Sequence, residues 1–390
     1  MDLASQHPRV DAAGLYIHLP FCREKCLYCD FVTFPLGPLA EPYLAAVERE
    51  AAAAAARAEP AFARFDSIYL GGGTPSLLPP AAVAHLLDRL RAVFTVSPDA
   101  EITLESNPED VRPAAAAAWR AAGVNRVTVG VQTVHARTLA EVRRHGGPAA
   151  VTAAVAALRA AGVGNIALDL ILGLPGEDTT RWEESLAFCL ALVPDHLSLY
   201  MLDVDDHPAL ARRIRAGRWR LPSEEELAGF YLTAVPRLAA AGLPQYEISN
   251  FAAPARRSRH NLKYWRLVPY LGLGVAAHSF DGRRRWWNER RLRTYLDRAA
   301  GGGRAEAGEE AWDWTRRARE FVMLGLRLAD GVSRAEFQHR LGRPFPTAWE
   351  AALKKNIVPS LVLDDNVTFR LTPQGMLVSN EILQEFFDAN

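Results

Sequence analysis

Along the first half of the chain, short runs of β-branched and aliphatic residues alternate with longer stretches in which apolar positions recur every three or four residues. A period of two marks strands and a period near 3.6 marks amphipathic helices. The alternation therefore predicts βα units and a parallel sheet. Strands are expected at Gly14–Leu19, Ser67–Leu70, Ile102–Glu105, Arg126–Val131, Ile166–Leu170 and His196–Met201. Helices are expected near Tyr43–Glu59, Ala81–Phe94, Pro113–Ala122, Ala149–Ala161 and Thr180–Leu192. Six units in a row fit an α/β fold built on a partial (β/α)6 TIM-like barrel, with a doubly wound sheet as the alternative. In a barrel, right-handed crossovers bring the carboxyl end of every strand to one rim.

Beyond Met201 the pattern changes. Asp203–Trp219 reads as irregular, Glu224–Ala241 as a helix, and Tyr246–Gly274 as a loop-rich region with many aromatic and basic residues. A Gly-rich hinge at Gly301–Gly308 precedes a tail of three helices, Thr315–Leu328, Arg334–Leu341 and Thr347–Lys355. Two short strands, Leu361–Leu363 and Val367–Leu371, and a last helix follow, which predicts a small C-terminal helical, winged-helix-like domain. The expected division is residues 1–205 for the barrel, 206–300 for an extension of it and 309–390 for the C-terminal accessory domain.

Composition narrows the function classes. A chain of 390 residues has room for two or three domains, and 49% apolar with 23% charged residues is an ordinary globular balance. Lys plus Arg (45) equals Asp plus Glu (45), so no global field attracts nucleic acid or an anionic membrane. Of four cysteines, three fall within eight residues, which is no disulfide framework and points to a reducing compartment. Met1–Ala13 lacks an apolar signal core and no apolar run is long enough to span a bilayer, so the expected location is cytoplasmic with no integral membrane segment.

The polar residues of the barrel half gather just after the strands. Cys22-x3-Cys26-x2-Cys29 follows the first, Gly71-Gly72-Gly73-Thr74-Pro75 the second, and Glu105-Ser106-Asn107-Pro108 ends the third. Gln132 ends the fourth and Asp169 sits in the fifth. Three thiolates so spaced can ligate three irons of a cubane cluster and leave the fourth iron open to a small molecule. The competing reading is zinc, which prefers a fourth Cys or His that the segment does not supply. Cys189 falls in an amphipathic helix and reads as a small buried hydrophobe. The glycines let main chain approach a ligand closely, or simply make a tight turn.

The run Tyr16-Ile17-His18-Leu19-Pro20-Phe21-Cys22-x3-Cys26-x-Tyr28-Cys29-Asp30-Phe31 resembles the radical S-adenosylmethionine superfamily. More closely, it resembles the branch holding the oxygen-independent coproporphyrinogen III oxidases and the HemW-type heme chaperones. The companions Gly130-Val131-Gln132, Asp169-Leu170-x2-Gly173-Leu174-Pro175 and Tyr246-Glu247-Ile248-Ser249-Asn250-Phe251 extend the likeness over nearly the whole chain. The resemblance implies a [4Fe–4S] cluster on Cys22, Cys26 and Cys29. It implies S-adenosylmethionine on Gly72, Gly73, Thr74, Glu105, Gln132, Arg144 and Asp169, with Tyr16, Tyr28, Met201 and His278 also lining the cofactor. A carboxylate matches a ribose diol and an Arg fork matches a carboxylate. No side chain is assigned a catalytic role.

Two features divide the branch. The oxidases carry a further cysteine two residues after the third ligand, where this chain has Phe31. His260-Asn261-Leu262-Lys263-Tyr264-Trp265 matches the H-N-x-x-Y-W motif linked with heme, which implies His260 as an axial ligand and Tyr264 and Trp265 against the macrocycle. Arg256, Arg257 and Arg259, and again Arg283–Arg285, read either as clusters that meet propionates or as solvated surface. The implied partners are heme or a porphyrin, a heme-acceptor protein and a low-potential electron donor, with no nucleic acid. The expected function is a heme chaperone. The alternatives are a radical oxidase that decarboxylates coproporphyrinogen III and a radical methylase or cyclopropanase.

Overall fold

The computed structural model describes residues 12–204, 208–302, 305–355 and 360–388. All six expected strands are present: β1 (Ala13–Leu19), β2 (Phe65–Gly72), β3 (Val96–Ser106), β4 (Arg126–Gln132), β5 (Asn165–Leu172) and β6 (His196–Met201). They pair in parallel as neighbours in chain order, from β1 with β2 through to β5 with β6. A doubly wound sheet reverses its strand order at a switch point. This order never reverses, so the sheet winds one way, as the wall of a partial barrel does. Helices α1 (Ala40–Ala56), α2 (Pro80–Val93), α3 (Pro113–Ala121), α4 (Ala136–Glu141), α5 (Pro148–Ala160) and α6 (Thr179–Ala191) form the connections. Their apolar faces, with Trp119 and Trp182 fully buried, pack on the outside of the sheet.

The second half of the chain completes the sheet. Helix α7 (Pro208–Arg215) lies where irregular chain was expected, and α8 (Glu224–Ala240) where a helix was. The region read as loop contains β7 (Gln245–Glu247), β8 (Asn250–Ala252), helix α9 (Arg259–Trp265) and β9 (Tyr270–Leu273). Strand β9 pairs in parallel with the free side of β1, matching Gly14 with Tyr270 through Ile17 with Leu273. Strands β10 (His278–Phe280), β11 (Arg284–Asn288) and β12 (Glu306–Ala311) continue from β9 in antiparallel fashion, giving twelve strands in the order 12-11-10-9-1-2-3-4-5-6-8-7. The segment read as a Gly-rich hinge thus contains part of an edge strand, although residues 303 and 304 lie outside the described residues, as does the expected boundary at 205/206.

Helix α10 (Leu292–Ala300) packs on α1, and its Tyr295 donates to Glu50 at 2.7 Å. The C-terminal unit starts at α11 (Trp314–Gly325) and adds α12 (Arg334–Leu341), α13 (Thr347–Lys355), α14 (Pro373–Leu377) and α15 (Ser379–Asp388). Strands β13 (Val332–Ser333), β14 (Val362–Asp364) and β15 (Thr368–Leu371) make its small antiparallel sheet. Its aromatic core of Phe337, Trp349, Phe369 and Phe386 is continuous with Tyr270, Phe280 and Trp312 of the large sheet and its margin. Among the described residues no helix is long and apolar enough to cross a membrane.

Candidate cofactor site at the carboxyl ends of the strands

The rim of the barrel carries a cleft of about 450 Å³. It is lined by Cys22, Cys26, Tyr28, Cys29, Gly72, Gly73, Thr74, Glu105, Gln132, Arg144, Asp169 and Met201. Residues spread over 180 positions meet there because parallel strands in one winding direction all deliver their last side chains to the same rim.

The cysteine loop is fixed by main chain. Gly73 N–H donates to Leu19 O (2.9 Å) and Thr74 N–H to Phe21 O (2.8 Å), which ties the glycine run under the loop. A Cβ on Gly73 would stand 2.6 Å from the Pro20 carbonyl carbon, so only glycine allows this approach. Leu27 N–H donates to Val142 O (3.1 Å), and the Cys26 thiol points at Arg143 O (3.5 Å), tying the loop to the segment after α4. The Thr74 hydroxyl donates to Cys22 Sγ at 3.4 Å. Burial pushes the Cys22 thiol up and the Cys29 thiol to about 11. These thiols stay protonated until a metal supplies positive charge. Among the described residues no three Cys, His, Asp or Glu side chains already converge on one point, as a single ion would need. A cubane instead takes one thiolate per iron.

Facing the cysteines is a polar wall. Glu105 accepts from Tyr69 OH (2.7 Å) and Gly72 N–H (3.0 Å), and burial raises its carboxyl to about 7 despite both donors. Burial also raises Asp169, to about 6, against the lowering effect of the Ser198 hydroxyl. Arg144 donates from Nη2 to Gly130 O at 2.7 Å, while its Nε, Gln132 Oε1 and Asp169 Oδ1 are buried without hydrogen-bond partners. Buried polar groups are ordinarily satisfied, so these three atoms in one cleft are available to the polar groups of a ligand. Gln132 sits at φ 67° and pairs with Leu170 just past a register shift that leaves Val131 without a partner in the β4–β5 ladder. Thr128 and Tyr200 also line the cleft and were not singled out from the sequence. Their only signal is their place at or near strand ends.

The remaining expected residues lie elsewhere. Tyr16, Tyr264 and His278 border a second cleft behind the cysteine loop, and Trp265 lines a groove against the C-terminal unit. His260 reaches neither cleft: it is 1% exposed, and its two ring nitrogens meet Ser67 Oγ (3.0 Å) and Tyr264 OH (2.8 Å). The H-N-x-x-Y-W segment is a helix, so His260 and Tyr264, four residues apart, share one face while Trp265 is on another. An imidazole so enclosed cannot reach a ligand without leaving both partners. The arginine clusters are also largely engaged within the protein. Arg257 pairs with Asp330 (3.1 Å), Arg259 with Asp99 (3.7 Å), Arg284 with Glu309 (2.5 Å) and Arg285 with Glu310 (3.6 Å).

Comparison with known proteins places these features. Residues 16–189 match the radical SAM superfamily model and residues 314–378 the HemN C-terminal domain. A heme chaperone HemW of Mycobacterium tuberculosis is 38% identical over 349 residues, covering 88% of each chain. The HemW of Bacillus subtilis is 33% identical over 374 residues, covering 95% of this chain and 98% of its own. Among solved structures, coproporphyrinogen III oxidase (HemN) of Escherichia coli, a radical SAM enzyme, superposes with a TM-score of 0.82 at 24% identity. That match covers 98% of this chain and 91% of the oxidase.

Proposed function

We propose, on the premise that the chain belongs to the HemW heme chaperone family of the radical S-adenosylmethionine superfamily, that it binds a [4Fe–4S] cluster, S-adenosylmethionine and heme and passes heme to an acceptor protein. Cys22, Cys26 and Cys29 would hold three irons of the cluster, and the donor set fits: three soft thiolates, with no fourth cysteine lining the cleft among the described residues. When bound, the cluster supplies one-electron reduction next to the sulfonium. The chain's own contribution is orientation and charge. Arg144 suits the methionine carboxylate, Glu105 the amino group and Asp169 the ribose diol, and Gly72 and Gly73 leave room beside them. The buried atoms without partners on Arg144, Gln132 and Asp169 support this assignment. An electron donor of low potential and a cytoplasmic setting that keeps the thiols reduced complete the reading.

The observation that carries the chaperone reading over the oxidase is Phe31. An exposed phenyl ring stands on the lip of the cofactor cleft at the position where the resembling oxidases carry a further thiol. The test uses anaerobically reconstituted protein. Hemin is titrated by absorbance while a parallel sample is incubated with coproporphyrinogen III. The expected result is saturable hemin binding with no CO₂ release above background. Conversion to protoporphyrinogen would overturn the reading in favour of the radical oxidase.

A further inference from the structure

The second cleft, of about 370 Å³, is divided from the first by Asp30 and Phe31, which line both. Its volume lies within the usual range of ligand pockets. Its walls are aromatic. Tyr264 and Tyr270 meet edge to face with centroids 4.6 Å apart, and Phe31, 52% exposed, stands at the mouth. Phe31 is the exposed ring of this wall, Tyr264 is half-buried and Tyr270 is buried behind it, and an exposed aromatic ring at the mouth of a concave site favours a flat apolar ligand.

Three imidazoles lie in this region, and what their nitrogens do separates them. His18 uses both, with Tyr16 OH at 3.0 Å and Val32 O at 2.9 Å. His260, behind Tyr264, uses both as described above. His278 is exposed beside Trp287, with ring centroids 5.9 Å apart, and neither of its nitrogens has a hydrogen-bond partner among the described residues. Partial burial, with Arg285 and Arg290 nearby, lowers its pKa against the opposing effect of Glu310. Arg290, on the same cleft, makes no ion pair among the described residues.

We propose that the heme cargo sits in this second cleft, with His278 as the protein ligand to its iron, Phe31, Tyr264 and Tyr270 against the macrocycle and Arg290 on a propionate. The proposal rests on the heme-chaperone reading and fixes where on the chain that reading operates. His260 becomes a positioning residue that holds the Tyr264 hydroxyl from behind. The Asp30 carboxylate on the cysteine-loop side disfavours propionates there and leaves Arg290 as their counter-charge.

The experiment titrates cluster-loaded, full-length protein with hemin, followed by its Soret band, and with metal-free protoporphyrin, followed by fluorescence. His278→Ala should weaken hemin by at least about 10-fold, the scale of losing a metal-site partner. It should also shift the Soret band, leave protoporphyrin affinity and iron and sulfide content unchanged, and regain the parent spectrum when imidazole is added. His278→Met, which keeps a ligand, should bind hemin with an altered spectrum, and His260→Gln should keep the parent's Soret position. An unchanged spectrum and affinity in His278→Ala, an unchanged spectrum in His278→Met, or a ligand shift in His260→Gln alone would overturn the proposal while leaving the chaperone reading intact. Failure of the parent to bind hemin would instead overturn the chaperone reading itself.

Discussion

At the scale of single residues the cofactor cleft depends on the absence of atoms as much as on their presence. A Cβ on Gly130 would stand 2.5 Å from Arg144 Nη2 and 2.8 Å from Gln132 Nε2. Gly130→Ala should therefore displace both side chains and leave the cysteine loop alone. The expected outcome is full iron and sulfide content with a weakened change in the EPR signal of the reduced cluster on adding S-adenosylmethionine. The carboxyls give a second expectation. Glu105 and Asp169 hold their protons up to about 7 and about 6, above ordinary carboxyls, and only the ionised forms attract the cationic ligand. Affinity for S-adenosylmethionine should rise from about pH 5 to about pH 8 as first Asp169 and then Glu105 ionises, and Glu105→Gln should remove the upper part of that rise in an equilibrium titration. Both residues were legible in the sequence because an isolated carboxylate at the end of an apolar strand stands out. Tyr200 and Thr128 did not stand out, since aromatic and β-branched residues are ordinary strand formers.

At the scale of elements, the six parallel strands were legible because burial on both faces leaves near-continuous apolar runs. Strand β12 was not: Glu306-Ala-Gly-Glu-Glu-Ala311 has hardly any apolar side chain to show a period. Its antiparallel ladder with β11 holds it, and cross-strand charge adds to that, with Arg285 opposite Glu310 and Arg284 reaching Glu309. Acidic side chains also suit an edge that must not pair with another sheet. Helix α9 was read as loop because its seven residues, about two turns, are too few to establish a helical period, and Ser258 caps it by accepting from Asn261 N–H. Its anchor is Lys263, 2% exposed, whose Nζ lies 2.5 Å from Asp66 and 2.7 Å from Ala12 O. Removing one partner of a buried pair strands the other's charge. Lys263→Ala should thus cost about 3–5 kcal/mol, read as a lowered midpoint in denaturant unfolding.

At the scale of the whole molecule, the C-terminal unit and the large sheet share one aromatic core. Phe280 and Trp312 meet at 4.7 Å, and Tyr270, in contact with Phe280, is also a wall of the second cleft. Trp312→Ala should cost about 3–5 kcal/mol for the lost packing. It should also lower hemin affinity while leaving the cluster's iron and sulfide content unchanged, which metal analysis beside the hemin titration would check. The sequence marked the C-terminal unit as separate because charge and glycine interrupt its pattern near residue 305. It could not reveal the shared core, since contacts among residues 270, 280, 312 and 337 are set by three-dimensional packing and not by period.

The wall formed by Asp30 and Phe31 has a thermodynamic consequence. Two ligands that press on opposite sides of one short segment are linked, and linkage between binding equilibria is reciprocal. If S-adenosylmethionine changes hemin affinity by some factor, hemin must change S-adenosylmethionine affinity by the same factor. Phe31→Ala should bring that common factor toward unity in both titrations. With Phe31 in place the chain behaves as a two-input device, in which the state of the cofactor cleft sets how tightly the cargo is held and so when it is released.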